Sequence, residues 1–165
     1  MKPIVAIAFL CLVFNCFAST RQGGSVPYAD GLESKMQILK FRSTQREEMI
    51  NITREVERLL ADVSMQEGVA VIYTQHTTCG VTVNENADPD VQSDMLGFLQ
   101  RLIPQFEPHF KHGEHNSDAH IKSSLLGTSA TVPFSSGKLL LGRWQGIYLC
   151  EFDGPRGRKV VMMVR

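Results

Sequence analysis

The sequence lacks the features that would place it among highly charged, disulfide-bonded or nucleotide-binding proteins. Lysine and arginine together number 17 and balance 17 acidic residues, so the net charge gives no reason to expect nucleic-acid binding. It contains no internal repeat, no GxGxxG motif and no P-loop. Two of the four cysteines lie near the N-terminus. The other two, Cys79 and Cys150, are too few for a disulfide scaffold; they could pair, but buried free thiols are the expected state.

An apolar run near the N-terminus is shorter than the roughly 20 residues of a membrane-spanning helix. One lysine precedes it and small residues follow it, so we interpret residues 1–19 as a signal peptide. A membrane anchor and a wrongly assigned start codon are the alternatives. With a working signal the protein is secreted or periplasmic and keeps no stable membrane span; otherwise it is cytoplasmic. Residues 20–34 carry Gly, Ser and Pro and are predicted to form a linker, which leaves residues 35–165 as the folded domain.

Three helices and seven strands are predicted in that domain. Thr44 and Glu47 have the spacing of a capping box, and the apolar stripe that follows predicts the first helix. Asp88 is a suitable N-cap for the second helix, and Ser117 or Asp118 is expected to cap a third, short one. Strands are predicted in KMQILKFRS, GVAVIYTQ, GVTVNE, TSATVPF, KLLLG, GIYLCEF and RKVVMMV. Since helices and strands do not alternate regularly, we predict an α+β fold, a single compact domain with a mostly antiparallel sheet and about three helices.

Three of the five histidines fall within the nine residues HGEHNSDAH, at positions 112, 115 and 120. His120 is expected in the first turn of the third helix, where the helix dipole disfavours imidazolium and keeps the ring neutral. His76 ends a strand that could come close to this segment in the fold. Imidazoles from two such segments would suit zinc with one open coordination position. The alternative is a hydrogen-bonded polar loop.

Two further segments carry side chains suited to a binding site. In NENADPD, Glu85 is a plausible general base or hydrogen-bond partner of a histidine. In GRWQG, Trp144 could be an aromatic wall of a site or a core residue. Polar side chains that could contact a phosphate or carboxylate, or could be ordinary surface residues, are Lys122, Ser123, Gln145, Arg156 and Arg158.

Three segments of the domain together resemble the YjbQ-like family, also called the secondary thiamine-phosphate synthase family. They are QHTTCGVTVNENADPDVQSDM, HNSDAHIKSSLLGTS and GRWQGIYLCEFDGPRGRKV. The resemblance runs from about Lys35 to Arg165, and the segment before Glu33 is not part of the family pattern. It implies a compact α+β fold, a homotrimer and a histidine-rich, metal-binding pocket near a subunit boundary. It also implies a weak ability to join hydroxymethylpyrimidine pyrophosphate and thiazole phosphate into thiamine phosphate, although the family's principal role is unsettled.

The resemblance assigns roles to individual residues. It implies one divalent metal, expected to be zinc, bound by His76, His112 and His120. His115 stands where the family often has a small residue, so it is not counted as a ligand. Arg143 stands where a threonine usually precedes the tryptophan. The resemblance also matches Asn84, Glu85, Trp144 and Gln145 to motifs of the family. Together with the residues considered above, the predicted site contains a catalytic Glu85, the pocket residues Asn84 and Trp144, and the ligand or phosphate contacts Lys122, Ser123, Gln145 and Arg156.

Three kinds of function therefore stay open at this point. The protein could be a transferase that makes thiamine phosphate as a secondary activity, with a small phosphorylated metabolite as its ligand. It could be a metal-dependent hydrolase of a small substrate, in which Glu85 would act as the base. It could also be a metal- or metabolite-binding module without enzymatic activity.

Overall fold

Alternation of apolar and polar residues along the chain produces two antiparallel sheets. The computed structural model describes residues 35–165, and the predicted signal peptide and linker lie outside the described residues. The helices are α1 (Thr53–Ala61), α2 (Pro89–Leu102) and α3 (Ser117–Leu126). The strands are β1 (Lys35–Arg42), β2 (Glu48–Asn51), β3 (Glu67–Thr74), β4 (Cys79–Glu85), β5 (Ser129–Ser135), β6 (Lys138–Leu139), β7 (Gln145–Glu151) and β8 (Gly157–Val164). The predicted α+β fold is confirmed.

The strands divide into a five-stranded sheet, in the order β1-β8-β3-β5-β6, and a three-stranded sheet, in the order β2-β7-β4. Neighbouring strands in these sheets are antiparallel. None of the helices in residues 35–165 has the length and apolar character needed to cross a bilayer.

The main core lies between the two sheets. Successive side chains of a strand point to opposite faces, so Ile72 and Met162 of the larger sheet meet Leu149 of the smaller one. Helix α1 closes this core with Val56 and Leu60, which are fully buried. A second cluster on the other face of the three-stranded sheet packs against α2 and α3, and contains Ala119, Tyr148, Cys150 and Phe152. The domain thus has three layers.

The two cysteines of the domain are buried free thiols, as expected. Cys79 lies opposite Glu151, and Cys150 lies opposite Gly80 on the adjacent strand. Adjacent positions point to opposite faces of a sheet, so the thiols belong to different clusters. Burial raises the pKa of the Cys150 thiol to about 12. Neither position offers a partner for a disulfide within the domain.

The predicted start of the first helix is wrong. Residues Glu48–Asn51 form β2, which pairs with β7, and the helix begins only at Thr53. Glu48, rather than Glu47, reaches back to the backbone N–H groups of Thr44 and Gln45, and this closes a turn before the strand. Pairing with β7 outweighs the local capping pattern, as tertiary context commonly does.

The other two helix starts agree with the sequence to different degrees. Asp88 caps α2 as predicted, since its carboxylate accepts a hydrogen bond from Asp90 N at 2.9 Å. Helix α3 has Asn116 at its N-cap position, so the prediction of Ser117 or Asp118 is wrong. Asp118 is instead fully buried, and its carboxylate binds the guanidinium of Arg46.

Candidate functional site

A cleft of about 270 Å³ lies where the end of β3, the start of α3 and the β7–β8 loop meet. We call it the polar cleft. All ten of its lining side chains carry a hydrogen-bonding or charged group. They are Gln75, His76, Thr77, Thr78, Glu114, Asn116, His120, Asp153, Arg156 and Arg158.

His76 enters the cleft as a neutral imidazole. Its Nε2 accepts a hydrogen bond from the backbone N–H of Lys159 at 2.9 Å. A neutral imidazole that accepts at Nε2 carries its proton on Nδ1. Burial and the positive charge of Arg158 lower the pKa of His76. At neutral pH the ring therefore has an N–H donor at Nδ1.

Arg158 is held by a buried carboxylate beneath the cleft. Its Nε donates to Glu151 Oε2 at 2.6 Å, and one terminal nitrogen donates to Glu151 Oε1 and, at 2.8 Å, to Thr78 Oγ1. Burial alone would raise the pKa of Glu151, but hydrogen bonds from Arg158, Asp153 N and Ser43, together with the Arg158 charge, lower it. This buried ion pair sets the position of the β7–β8 loop and keeps a cation at the floor of the cleft.

The rim of the cleft is a second, more exposed ion pair. Arg156 donates from Nε to the backbone oxygen of Asp153 and from a terminal nitrogen to its carboxylate, both at 2.6 Å. The Asn116 amide donates to the same carboxylate at 2.8 Å. Since Glu151 pairs with Arg158, Asp153 pairs with Arg156 and Glu114 adds a further carboxylate, hydrogen-bond donors rather than an excess of positive charge distinguish this cleft.

A second cavity of about 520 Å³ adjoins the polar cleft. We call it the aromatic cavity, after Phe110 and its histidine rings. His120 lines both spaces. The rings of His112 and His120 meet edge to face with centroids 5.4 Å apart. The full lining is His109, Phe110, Lys111, His112, Ser117, His120 and Ile121.

The three histidines predicted to bind zinc are only partly brought together. His120 shares the polar cleft with His76 and the aromatic cavity with His112. Within residues 35–165 of one chain, no three histidine, cysteine or acidic side chains are grouped closely enough to hold a metal ion. His76 also has its Nε2 engaged by Lys159 and its proton on the other nitrogen. The predicted donor set therefore does not fit zinc within one subunit.

The family model described as "UPF0047 protein YjbQ-like" matches residues 37–165. The chain belongs to the YjbQ-like family. It is 50% identical over 123 residues to UPF0047 protein YugU of Bacillus subtilis, covering 74% of this chain and 93% of that protein. It is 48% identical over 125 residues to UPF0047 protein MJ1081 of Methanocaldococcus jannaschii, covering 76% of this chain and 90% of that protein.

Solved structures agree with this membership. A YjbQ/UPF0047 protein from Clostridium acetobutylicum is 43% identical with a TM-score of 0.76, over 78% of this chain and 99% of that one. A protein of unknown function from Sulfolobus solfataricus is 26% identical with a TM-score of 0.76, over 80% of this chain and 96% of that one. The predicted family is confirmed.

The YjbQ-like motif that contains Asn84 and Glu85 lies away from the polar cleft. Strand β4 starts at Cys79, near the cleft, and ends at Glu85. A strand rises about 3.4 Å per residue, so Cys79 and Glu85 lie roughly 20 Å apart. Gln145 pairs with Glu85 at this distant end. Glu85 therefore cannot act as a base on a ligand beside His120 of the same subunit.

The other side chains at this end have local partners. Asn84 donates to Met95 Sδ at 3.0 Å, and Gln145 Oε1 accepts from Gly142 N at 2.8 Å. Trp144 is exposed, and the Arg143 guanidinium lies 4.6 Å from its ring centroid. Arg143, at the position where the resemblance implies a threonine, thus makes a cation–π contact with Trp144.

Lys122 and Ser123 of the "HIKSS" motif do not line the polar cleft, which corrects their prediction as anion contacts. Lys122 is 1% exposed and donates to Glu47 at 2.7 Å and Asp118 at 3.0 Å. Ser123 is buried and donates to the backbone oxygen of Cys79 at 2.8 Å. Their polar groups are used to join α3 to the β1–β2 connection and to β4.

Proposed function

We propose that the polar cleft binds the phosphate of a small phosphorylated metabolite whose ring occupies the aromatic cavity. The observation that carries this proposal is the shared wall: His120 borders both spaces. A ligand with a charged end and a flat end can therefore lie across His120. Thiamine-phosphate synthesis, which the family resemblance implies, is the secondary activity that we propose for this site.

Hydrogen-bond donors support phosphate binding in the polar cleft. Thr77 and Thr78 provide hydroxyl groups, His76 provides Nδ1–H, and Arg158 provides a cation held in place by Glu151. Guanidinium and N–H donors are effective partners for phosphate oxygens. Because nearby carboxylates offset the arginine charges, we expect modest affinity for a free phosphate ion.

The adjoining cavity supports a heterocyclic rather than a purely ionic ligand. Its volume of about 520 Å³ lies within the range of small-molecule sites. Phe110, His112 and His120 offer ring faces and edges, and Ile121 adds an apolar side chain. Aromatic rings favour such offset or edge-to-face neighbours.

The proposed reaction needs stabilisation of a leaving group more than it needs a base. The thiazole ring nitrogen attacks the methylene carbon of the pyrimidine, forming a C–N bond. The C–O bond to pyrophosphate breaks, and the bonding electrons leave with pyrophosphate. The attacking nitrogen carries no proton to remove. Donors such as His76 Nδ1–H and Arg158 stabilise the charge that builds on the departing oxygens.

The transferase differs from the hydrolase and the non-enzymatic binding module in needing leaving-group stabilisation rather than a base. A hydrolase that uses Glu85 as base needs that residue from a neighbouring subunit, because its own Glu85 lies at the far end of β4. A non-enzymatic binding module would bind the phosphorylated heterocycle without turning it over. Both remain outcomes of the experiment below.

We infer that the subunits form the homotrimer that the family resemblance implies. A cyclic trimer joins two different surfaces of the chain, and two exposed apolar surfaces lie on opposite outer layers of the domain. The outer-sheet surface consists of Met36, Ile38, Val69, Tyr73 and Met163. The helix surface consists of Phe98, Leu102, Ile121 and Leu125. Light scattering should give three chain masses for the wild type and a lower mass for Tyr73→Lys; a wild-type monomer would contradict the trimer.

The site is tested by binding and turnover in matched histidine variants. Isothermal titration with thiamine phosphate should give at least tenfold weaker binding for His120→Ala, because His120 borders both parts of the ligand. His115→Ala should match the wild type, since His115 lines neither the polar cleft nor the aromatic cavity. Equal affinity in the two variants would reject the site. Binding without formation of thiamine phosphate from its two precursors would favour the non-enzymatic module.

A further inference from the structure

The segment Asn51-Ile52-Thr53 is the one triplet in the sequence with the Asn-X-Ser/Thr pattern of an N-glycosylation acceptor. We propose that Asn51 carries an N-linked glycan when the chain is translocated into a secretory pathway that contains oligosaccharyltransferase. The proposal rests on the signal peptide predicted in residues 1–19 and is independent of the function proposed for the polar cleft.

The folded domain leaves space for a glycan at this position. Asn51 is the last residue of β2 and is exposed. It lies opposite Tyr148, whereas the start of β2 lies opposite Glu151 beneath the polar cleft, so a glycan would leave the cleft open. A cavity of about 640 Å³ adjoins the Asn51 side chain, and its polar lining consists of Asn51, Thr53, Arg54, Glu55, Glu57 and Asn86.

The hydrogen bonds of the Asn51 amide are compatible with a sugar on its nitrogen. Its oxygen accepts from Thr53 N at 3.0 Å and Thr53 Oγ1 at 2.7 Å. Its nitrogen donates one N–H to Asn86 Oδ1 at 2.6 Å. A primary amide has two N–H groups, so replacement of the other leaves a donor for Asn86. The groups that line the cavity can then bind the hydroxyl and acetamide groups of the first sugar.

The chemistry needs a co-substrate of a defined class, a lipid-pyrophosphate-linked oligosaccharide. The bond between C1 of its first N-acetylglucosamine and the pyrophosphate oxygen breaks, and a C1–Nδ2 bond forms at Asn51. The lipid pyrophosphate leaves with the bonding electrons, and Asn51 Nδ2 loses one proton. The reaction changes no oxidation state.

The structure also sets the time at which this modification can occur. Ile52, the middle residue of the acceptor, is fully buried. The Thr53 hydroxyl donates to Asn51 and accepts from Ile147 N at 2.9 Å. A transferase that reads the triplet in extended form therefore cannot reach it after folding. The glycan must be added while the chain is still unfolded during translocation.

The experiment is expression of the full chain, with its own N-terminus, in cultured cells whose secretory pathway glycosylates asparagine. Secreted protein should lose mass on treatment with peptide N-glycosidase, which should leave Asp at position 51. Asn51→Asp should remove the glycan while keeping an oxygen that accepts from Thr53. Thr53→Ser should keep both the acceptor pattern and the hydroxyl. Folded protein from bacteria, incubated with oligosaccharyltransferase and the lipid-linked donor, should stay unmodified.

A second arm separates failure of export from failure of the acceptor. In it, an established signal peptide replaces residues 1–19. Absence of the glycan from secreted protein in both arms would overturn the acceptor site. A glycan in the second arm alone would overturn the proposal for the natural chain, because its own N-terminus would not deliver it. Modification of the folded bacterial protein would overturn the inference that folding closes the site.

Discussion

Replacing Glu151 by glutamine should destabilise the domain more than any exposed acidic substitution. Glu151 is fully buried. Its carboxylate accepts hydrogen bonds from Ser43 Oγ at 2.9 Å, Asp153 N at 2.9 Å and the Arg158 guanidinium. Glutamine keeps the shape but turns one oxygen into a donor and leaves Arg158, which is 5% exposed, without a counter-charge. Loss of one partner from a buried ion pair costs about 3–5 kcal/mol.

That loss is large beside the total stability of a domain, about 5–15 kcal/mol. Urea denaturation followed by circular dichroism measures the loss, with protein concentration held constant because the stability of any oligomer depends on concentration. The matched control is Glu57→Gln on the exposed face of α1, which should change the unfolding free energy by less than about 0.5 kcal/mol. A loss below about 1 kcal/mol for Glu151→Gln would refute the reasoning; the Arg158 pair would then not organise the cleft.

Two further outcomes follow from the ionisable groups. Burial alone would raise the pKa of Asp118, but hydrogen bonds and charge from Arg46 and Lys122 lower it, and the pKa of Glu151 is also lowered. A carboxyl whose pKa is lower in the folded state contributes stability above its unfolded pKa of about 4, and that contribution is lost as pH falls through the folded value. These two carboxylates should therefore leave the urea midpoint nearly constant around neutral pH and lower it once the pH falls below about 4. A urea midpoint that stays constant in acid would contradict this prediction. Because the three predicted zinc ligands are not grouped within one subunit, one zinc ion per chain in protein purified without a histidine tag, lost in His120→Ala and kept in His115→Ala, would require a site completed by a neighbouring subunit. Elemental analysis makes this measurement, and equal zinc content in the two variants would reject the predicted ligands.

Sequence patterns correctly predicted the strands with regular alternation or long buried runs. They failed at β2, where the pattern of a helix and that of a strand overlap. Strands β3, β4, β7 and β8 all have regular alternation or buried runs, and each forms near its predicted position. Residues Glu48–Asn51 fit both the apolar stripe of a helix and a short strand. Only the pairing with β7, a contact between segments about a hundred positions apart in the sequence, decides for the strand. Local pattern cannot report such a contact.

The same limit explains what was missed in the site. His76 and His120 do share a cleft, because both lie at the ends of elements that meet there. Lys122, followed by two serines, has the local appearance of an anion contact. Its true partners are Glu47, 75 positions away, and Asp118 on its own helix. The distance between Glu85 and the histidines was readable from the sequence, since an extended strand separates positions 79 and 85.

The distance along β4 between Glu85 and the polar cleft decides which of the proposed reactions would need a second subunit. The proposed thiamine-phosphate synthesis requires hydrogen-bond donors that stabilise the departing pyrophosphate. The polar cleft of one subunit contains such donors. Hydrolysis with Glu85 as the base requires its carboxylate beside the ligand. Within one subunit, Glu85 lies at the end of β4 that is far from the polar cleft. Hydrolysis with Glu85 as the base would therefore require the Glu85 end of one subunit to meet the cleft of another, whereas the proposed transferase chemistry requires only the cleft of one subunit. Glu85→Gln should leave thiamine-phosphate formation unchanged, because the attacking thiazole nitrogen carries no proton for a base to remove. A loss of that activity in the variant would contradict this prediction and would mean that Glu85 takes part in the reaction from a neighbouring subunit.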